Sequence, residues 1–386
     1  MMRPLGIYVH VPFCVKRCPY CGFFSSSCGR SGYKDRISEY FDFLEKELDL
    51  RARQAGAPYF VDSVYFGGGT PSLADPELFE RLLDRIAGRF SIAPDAEISM
   101  EANPGTLTEE RLKAYKRAGV NRLSIGLQSF DEDILRTLGR IHTAEDFTRS
   151  YDDAREAGFD NINADLMFGI PGQTLRSWED NVTKLVSMLP EHVSFYSLQI
   201  EEGTKFYHDY KMGDMVPVTD DEDREMYHNA IMILKDHGYS QYEISNAALP
   251  GRQCRHNLKY WTFQDYLGTG ASSSSFMSGV RWTDPGGGYR GFVEAGAPKD
   301  MLSEYHKNSD FDNASDYMIT GLRLNSGIGM KDFSRRFGKT VWDMFPEAQN
   351  EAEEFFDSGC FKEESGRLYI TEKGLDISNR IMQLFV

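Results

Sequence analysis

The sequence predicts an α/β fold: a partial (β/α)6 barrel followed by a small C-terminal winged-helix-like α+β domain. Three observations carry the prediction. Short β-prone runs alternate with amphipathic stretches through the first part of the chain, the pattern of parallel strands joined by crossover helices. Polar landmarks recur at the carboxyl ends of those runs, where a parallel barrel keeps its chemistry. From about Asp310 the alternation gives way to successive helices, one short strand and a final helix. At 386 residues the chain holds one large domain and a smaller one. The divisions expected are 1–245 for the barrel, 246–309 for a connecting segment and 310–386 for the terminal domain.

The first strand, Ile7–Val11, is an apolar run stopped by Pro12. Tyr33–Gln54 then carries Ile37, Tyr40, Phe41, Leu44 and Leu48 at three- and four-residue intervals, the stripe of an amphipathic helix. Further strands are expected at Ser63–Phe66, Glu97–Met100, Arg122–Ile125, Asn161–Leu166, His192–Leu198 and Gln241–Ile244. Between them lie helix-like segments at Leu78–Ile86, Glu109–Arg117, Thr143–Glu156, Trp178–Leu189 and Glu222–Asp236. About six such units fall short of a closed eightfold barrel, so the sheet is expected to stay open. Gly169-Ile170-Pro171-Gly172-Gln173-Thr174 reads as a strand-to-helix turn with Thr174 as the helix cap, and its role is either turn geometry alone or shaping a pocket.

The chemistry gathers just after the first strand. Cys14, Cys18 and Cys21 lie at the spacing C-x3-C-x2-C, in the loop at a strand's carboxyl end. Thiols so close are poorly placed to bridge one another, and metal or cluster binding is the leading explanation. A zinc site needs a fourth ligand, with His10 or Cys28 as the local candidates. A cubane [4Fe-4S] cluster held by three cysteines keeps one iron open for a small molecule. Cys28, Cys254 and Cys360 stand singly and read as structural or incidental rather than catalytic.

The formal net charge of −16 argues against a phosphate-tracking surface, so no nucleic-acid partner is expected. No apolar run is long enough to cross a bilayer, and the first residues lack the pattern of a secretory signal, so a cytoplasmic, reduced protein is expected. In 310–386 there are 14 acidic and 9 basic residues, a formal charge of −5, which favours packing or partner binding over DNA recognition by a winged helix. The terminal Ile381-Met382-Gln383-Leu384-Phe385-Val386 reads as a core contact, with peripheral membrane association as the alternative.

The C-x3-C-x2-C loop, with Tyr20 before its third cysteine, resembles the radical S-adenosylmethionine (SAM) superfamily. Its lead-in of Tyr8, His10, Pro12, Phe13 and Cys14 is similar to the branch holding oxygen-independent coproporphyrinogen III oxidase and the HemW-type haem chaperones. The resemblance covers nearly the whole chain. It implies a [4Fe-4S] cluster on Cys14, Cys18 and Cys21, S-adenosyl-L-methionine at the open iron, an electron donor, and cleavage of the sulfonium to a 5'-deoxyadenosyl radical. It implies that Tyr8 and Tyr20 flank cluster and adenine, and that Gly68, Gly69 and Thr70 meet the methionine end. Glu101, Gln128, Arg140 and Asp165 would fix the remaining polar groups, and Leu198 matches a cofactor-lining position loosely. SAM carries an ammonium, a carboxylate and ribose hydroxyls, so acidic, amide and guanidinium partners are all needed. The plain alternatives are a tight turn for Gly67-Gly68-Gly69-Thr70 and a solvated helix-end charge for Arg140.

Arg252-Gln253-Cys254-Arg255-His256-Asn257-Leu258-Lys259-Tyr260-Trp261 contains HNxxYW, which resembles the HemW-type signature. Imidazole is a common haem ligand, so His256 is expected as the axial ligand, with Tyr260 and Trp261 as an apolar wall and Arg252, Arg255 and Lys259 toward the propionates. Gly268-Thr269-Gly270-Ala271-Ser272 resembles the family's glycine-rich segment, and Asp284–Gly291 reads as a linker or lid. The resemblance implies that the oxidases carry CxxxCxxCxC, whereas this chain has Phe23 at the fourth cysteine's place. The function expected is therefore a chaperone that binds haem and delivers it to a haem-acceptor protein. The alternative is oxidative decarboxylation of coproporphyrinogen III to protoporphyrinogen IX.

Overall fold

The computed structural model describes residues 2–29, 33–55 and 58–386. Six strands lie side by side in chain order: β1 (Arg3–Val11), β2 (Tyr59–Gly68), β3 (Ser91–Ala102), β4 (Arg122–Gln128), β5 (Ile162–Phe168) and β6 (His192–Ser197). All five pairings among them are parallel. Crossovers are made by α1 (Tyr33–Gln54), α2 (Pro76–Ala87), α3 (Glu109–Arg117), α4 (Ala144–Glu156) and α5 (Leu175–Ser187), and α6 (Asp220–Asp236) follows β6.

Side chains alternate between two faces of each strand, and here the two faces differ in chemistry. Leu5, Ile7, Val9 and Val11 of β1, Val64 and Phe66 of β2, and Leu123, Ile125 and Leu127 of β4 are fully buried in the apolar core. Phe66 packs on Phe79 of α2 at 4.7 Å between ring centroids, and Phe168 on Trp178 of α5 at 5.3 Å. The intervening residues, Tyr65, Glu101, Arg122, Ser124, Asn163, Asp165 and Tyr196, line a cavity inside the curved sheet. Helix starts are fixed locally. Thr143, Thr174 and Thr219 each accept a backbone N–H at the start of α4, α5 and α6, as expected for Thr174.

Among the described residues the sheet has twelve strands and does not return on itself. Gln241–Ile244 was expected among the parallel strands. Instead Ser240–Glu243 pairs antiparallel with Asn246–Ala248, which runs antiparallel to β6. The reason is length: only Ile244 and Ser245 separate the two, a hairpin connection and far too short for a parallel crossover. At the other edge Tyr266–Thr269 runs parallel to β1, and Ser274–Met277, Val280–Thr283 and Ser303–Lys307 continue antiparallel. The stretch 246–309 thus supplies five strands of the main sheet.

The Asp284–Gly291 stretch is not a free linker or lid, because both its ends are tied to α1. Buried Arg51 pairs with Glu47 and with Asp284, and Tyr289 Oη donates to Glu47 Oε2 at 2.7 Å. Thr269 Oγ1 and the Gly270 N–H also donate to that oxygen, at 2.7 and 2.9 Å. Burial and the neighbouring Glu47 push the Asp284 carboxyl upward, as expected where one guanidinium serves two acids.

In the C-terminal domain α8 (Asp310–Gly321) is followed by four further α-helices and a separate three-stranded antiparallel sheet, Ile328–Gly329, Phe361–Glu364 and Arg367–Ile370. This is the winged-helix-like arrangement. Ile381, Met382 and Phe385 are buried in it, which accounts for the apolar terminus as a core contact. Among the described residues no helix is long and apolar enough to cross a membrane.

Removing one member of a buried ionic group leaves the others uncompensated. Arg51→Ala is expected to lower the unfolding free energy by about 3–5 kcal/mol in chemical denaturation. A loss too small to measure would show that the seam between α1 and 269–289 is not held by this group.

Candidate functional site

The cysteine loop is a closed excursion with a pinned base. Phe13–Cys14 pairs in parallel with Ser26–Ser27, the Ser26 N–H donates to Pro12 O at 2.7 Å, and the Cys28 N–H donates to Cys14 O at 2.9 Å. Cys28 Sγ also donates to Cys14 O, at 3.1 Å, so this thiol braces the loop. Cys14, Cys18 and Cys21 all line the mouth of the cavity, which measures about 570 Å³. Six cysteines are free thiols.

Among the described residues no three His, Cys, Asp or Glu side chains converge tightly enough for one metal ion. Thiols spread around a cavity mouth suit a cubane, whose irons take one thiolate each at separate corners. Burial pushes the Cys14 and Cys21 thiols up, and for both the neighbouring cysteines add to the rise. A cationic metal core reverses that preference and displaces the protons. Two donors already point at the sulfurs: Thr70 Oγ1 to Cys14 Sγ at 3.6 Å, and Arg140 Nη1 to Cys18 Sγ at 3.7 Å.

The glycine run ends β2 directly against this loop. Gly68 has φ +112°, and a Cβ there would fall 2.6 Å from the His10 ring; one on Gly69 would fall 2.7 Å from Phe13 O. Only glycine lets this strand end pass so close to the cysteine loop while still lining the cavity. The run is therefore more than a tight turn.

Glu101 ends β3 with its carboxylate in the cavity, accepting from Tyr65 Oη at 3.0 Å and from the Gly68 N–H at 3.1 Å. Burial, then the charge of Asp165, push its carboxyl up to about 7. Burial likewise raises Asp165, which accepts from Asn163 Nδ2 at 2.7 Å. Two such acids facing one cavity favour the entry of a cationic group such as an ammonium. Gln128, at the end of β4, takes φ +69° and accepts from Tyr196 Oη at 3.2 Å. A non-glycine residue in that region is held by its surroundings, as is common in functional pockets. Arg140 is not a solvated helix-end charge: it lines the cavity and donates to Asn103 Oδ1 at 2.5 Å and Gly126 O at 3.1 Å.

Cys14, Cys18, Cys21, Tyr20, Gly68, Gly69, Thr70, Glu101, Gln128, Arg140 and Asp165 are thus brought to one cavity. Others expected there are not. Tyr8 stacks behind Tyr65 at 6.3 Å and bonds His10 Nδ1 at 3.0 Å, since alternation seats it one layer below the mouth. Leu198 sits in an apolar cluster with Ile134, Leu138, Met167, Ile170 and Phe206 that backs Tyr20. Sequence reasoning missed Tyr65, Asn103, Asn163 and Tyr196. Most stand two residues from a landmark on the same strand face, so the period-2 alternation held the signal.

The HNxxYW segment forms α7 (Arg255–Trp261) and seals the bottom of the barrel. Glu97 of β3 accepts the Arg255 and His256 N–H groups at 3.1 and 3.2 Å, capping the helix from another element. His256 is 0% exposed. Its Nδ1 bonds Ser63 Oγ and its Nε2 bonds Tyr260 Oη, both at 2.9 Å, and its ring stacks on Tyr65. Burial first, then Lys259 and Arg122, hold its pKa down at about 3. The expectation that His256 ligates haem does not fit this arrangement, because both ring nitrogens are engaged and neither reaches a surface. The cations expected near propionates are engaged too. Lys259 pairs with Asp62 at 2.6 Å, Arg255 with Asp95 at 3.2 Å and Arg252 with Asp160 at 3.7 Å. Tyr260 packs edge-on against Tyr266, and Trp261 lies under the Arg323 guanidinium at 4.5 Å, so the helix ties the barrel floor to the C-terminal domain.

Comparison with known proteins places this architecture. Residues 8–185 match the family model of the radical SAM superfamily, and 310–377 match the HemN C-terminal domain. The heme chaperone HemW of Bacillus subtilis (strain 168) is 34% identical over 384 residues, 98% of each chain. The heme chaperone HemW of Escherichia coli (strain K12) is 39% identical over 275 residues, 70% of each chain. The solved structure of coproporphyrinogen III oxidase (HemN) from Escherichia coli, a radical SAM enzyme, superposes with a TM-score of 0.86 at 24% identity, covering 100% of this chain and 90% of that one; the likeness is one of fold. The chain belongs to the radical SAM superfamily and, within it, to the HemW family.

A carboxyl whose pKa is raised by folding stabilises the fold while protonated, and that contribution fades as pH rises through the folded value. Ligand-free protein is therefore expected to lose up to about 3 kcal/mol of stability between about pH 4.5 and 7 through Glu101. Glu101→Gln should flatten this part of the curve in denaturation measured across pH. An unchanged slope would assign the dependence to other groups.

Proposed function

We propose that this protein is a haem chaperone that carries a [4Fe-4S] cluster and S-adenosyl-L-methionine and hands haem to an acceptor protein, working in the reducing cytoplasm with a separate electron donor. The observation that carries the choice within the superfamily is Phe23. The side chain stands 71% exposed at the cavity mouth, where the oxidases would have a fourth cysteine, and a phenyl ring neither ligates metal nor exchanges protons. The names of the relatives that align over the whole chain support the same reading.

In this reading Cys14, Cys18 and Cys21 hold the cluster, and when bound the cluster supplies an electron to the sulfonium of SAM. The chain's own residues bind and orient. Backbone at Gly68 and Gly69 admits the methionine end beside the cysteine loop, Glu101 takes the ammonium and so ionises, and Arg140 meets a carboxylate while keeping its contact to Cys18. Gln128 and Asp165 remain for hydroxyl groups, and Tyr20, backed by the Leu198 cluster, closes one side against water.

Anaerobic reconstitution is expected to give about four irons per chain, lost when Cys14, Cys18 and Cys21 are all replaced by Ala with the fold kept. Tightly bound zinc instead would overturn the cluster assignment. With reductant and SAM, the protein is expected to bind haem and to leave coproporphyrinogen III unconverted, as read by chromatography of the porphyrins. Multiple-turnover formation of protoporphyrinogen IX would restore the oxidase. His256→Ala should leave the bound-haem absorption spectrum in place while lowering stability by about 2–4 kcal/mol, through the orphaned Ser63 and Tyr260 hydroxyls and the space left behind. A shifted Soret band in a variant that keeps its stability would return the imidazole to the haem.

A further inference from the structure

A buried cation of the cavity lacks a partner among the described residues. Arg122 opens β4, is only 1% exposed and lines the cavity well below the cysteine mouth. Among the described residues no side chain or carbonyl forms a hydrogen bond or ion pair with its guanidinium, and its Nε is sealed from solvent without an acceptor. Buried guanidinium groups are ordinarily paired, and leaving one unpaired is costly. The acids nearby are already engaged: Glu101 with Tyr65 and Gly68, Asp165 with Asn163, and Glu97 with the start of α7.

Asn257 of the HNxxYW helix lines the same cavity, and its amide has no hydrogen-bond partner among the described residues. Asn246, also on the lining, leaves Oδ1 buried and unpartnered. The floor therefore offers a charged fork and a spare amide donor. A planar carboxylate answers the fork and amide with its two oxygens.

We propose that the barrel floor is a carboxylate-binding subsite, in which Arg122 and Asn257 receive a carboxylate group of a ligand that enters from the cysteine mouth. The carboxylate is a propionate side chain of a tetrapyrrole, because the carboxylate of S-adenosyl-L-methionine is met by Arg140 beside the cysteines at the mouth. The subsite rests on the haem reading and deepens it. It gives the Asn of HNxxYW a ligand-facing position while the His beside it serves as structure.

The full chain can be titrated with propionate, and with methionine as a control for the mouth, each 13C-labelled at the carboxyl and followed by NMR, in wild type, Arg122→Gln and Asn257→Ala. Propionate is expected to bind wild type and to weaken about tenfold or more in Arg122→Gln and severalfold in Asn257→Ala, with Arg122→Lys in between, while methionine binding changes little. Methionine binding that weakened in parallel with propionate would place the amino-acid carboxylate at the floor and overturn the assignment. No propionate binding, or equal propionate affinities in wild type and both variants, would overturn the subsite. Should Arg122→Gln fail to fold, Asn257→Ala decides, because that amide makes no bond among the described residues. Failure of the chaperone reading would show separately, as absent iron uptake or absent haem binding.

Discussion

The structure depends on a division of labour between the two faces of its parallel strands. One face carries branched and aromatic residues that helices bury, which supplies the apolar contact holding the sheet. The other face carries Tyr65, Ser99, Glu101, Arg122, Ser124, Asn163 and Asp165, a set too polar to pack against itself without room for water or ligand. An open barrel follows from this pattern. The curvature gathers the polar face around one cavity, and the strands' carboxyl ends bring three thiols, a glycine run and two carboxyls to its mouth.

The two ends of that cavity are built differently. At the mouth, short polar contacts run from Cys14 through Thr70 and Asn103 to Arg140 and Cys18, so the loop, β2, β3 and the segment after β4 are held to one another. Any group seated on the thiols is felt by all four. At the floor a single short helix, capped by Glu97 and braced by Ser63 and Tyr65, closes the barrel and leans on the C-terminal domain. A signature read for haem chemistry is, in its histidine, a piece of architecture, while its asparagine faces the cavity.

Electrostatics inside the cavity are tuned by depth more than by net charge. The chain as a whole is acidic, yet the interior combines carboxyls pushed up by burial with guanidinium groups at mouth and floor. Such a lining prefers a ligand that carries both an ammonium and a carboxylate, or one whose carboxylates can reach past the mouth.

The sequence by itself determined the alternation of strand and helix, the position of the cysteine loop after β1, and the landmarks at Gly68, Glu101, Gln128 and Asp165, because each is written in local spacing that needs no distant partner. It also held the long helix Tyr33–Gln54 and the cap at Thr174, both local decisions. Only the tertiary structure decided the rest. Whether Gln241–Glu243 joins the parallel set depends on which edge remains free once β6 is placed, and Asp284 became buried because Arg51, far away in sequence, needed a second acid. Whether His256 meets a ligand or a serine depends on where α7 lands, and it lands beneath β1 and β2, where Gly6 leaves room for the Lys259 stem and the imidazole. Local chemistry names what a residue can do; the packing of distant strands decides which of those capacities is left open.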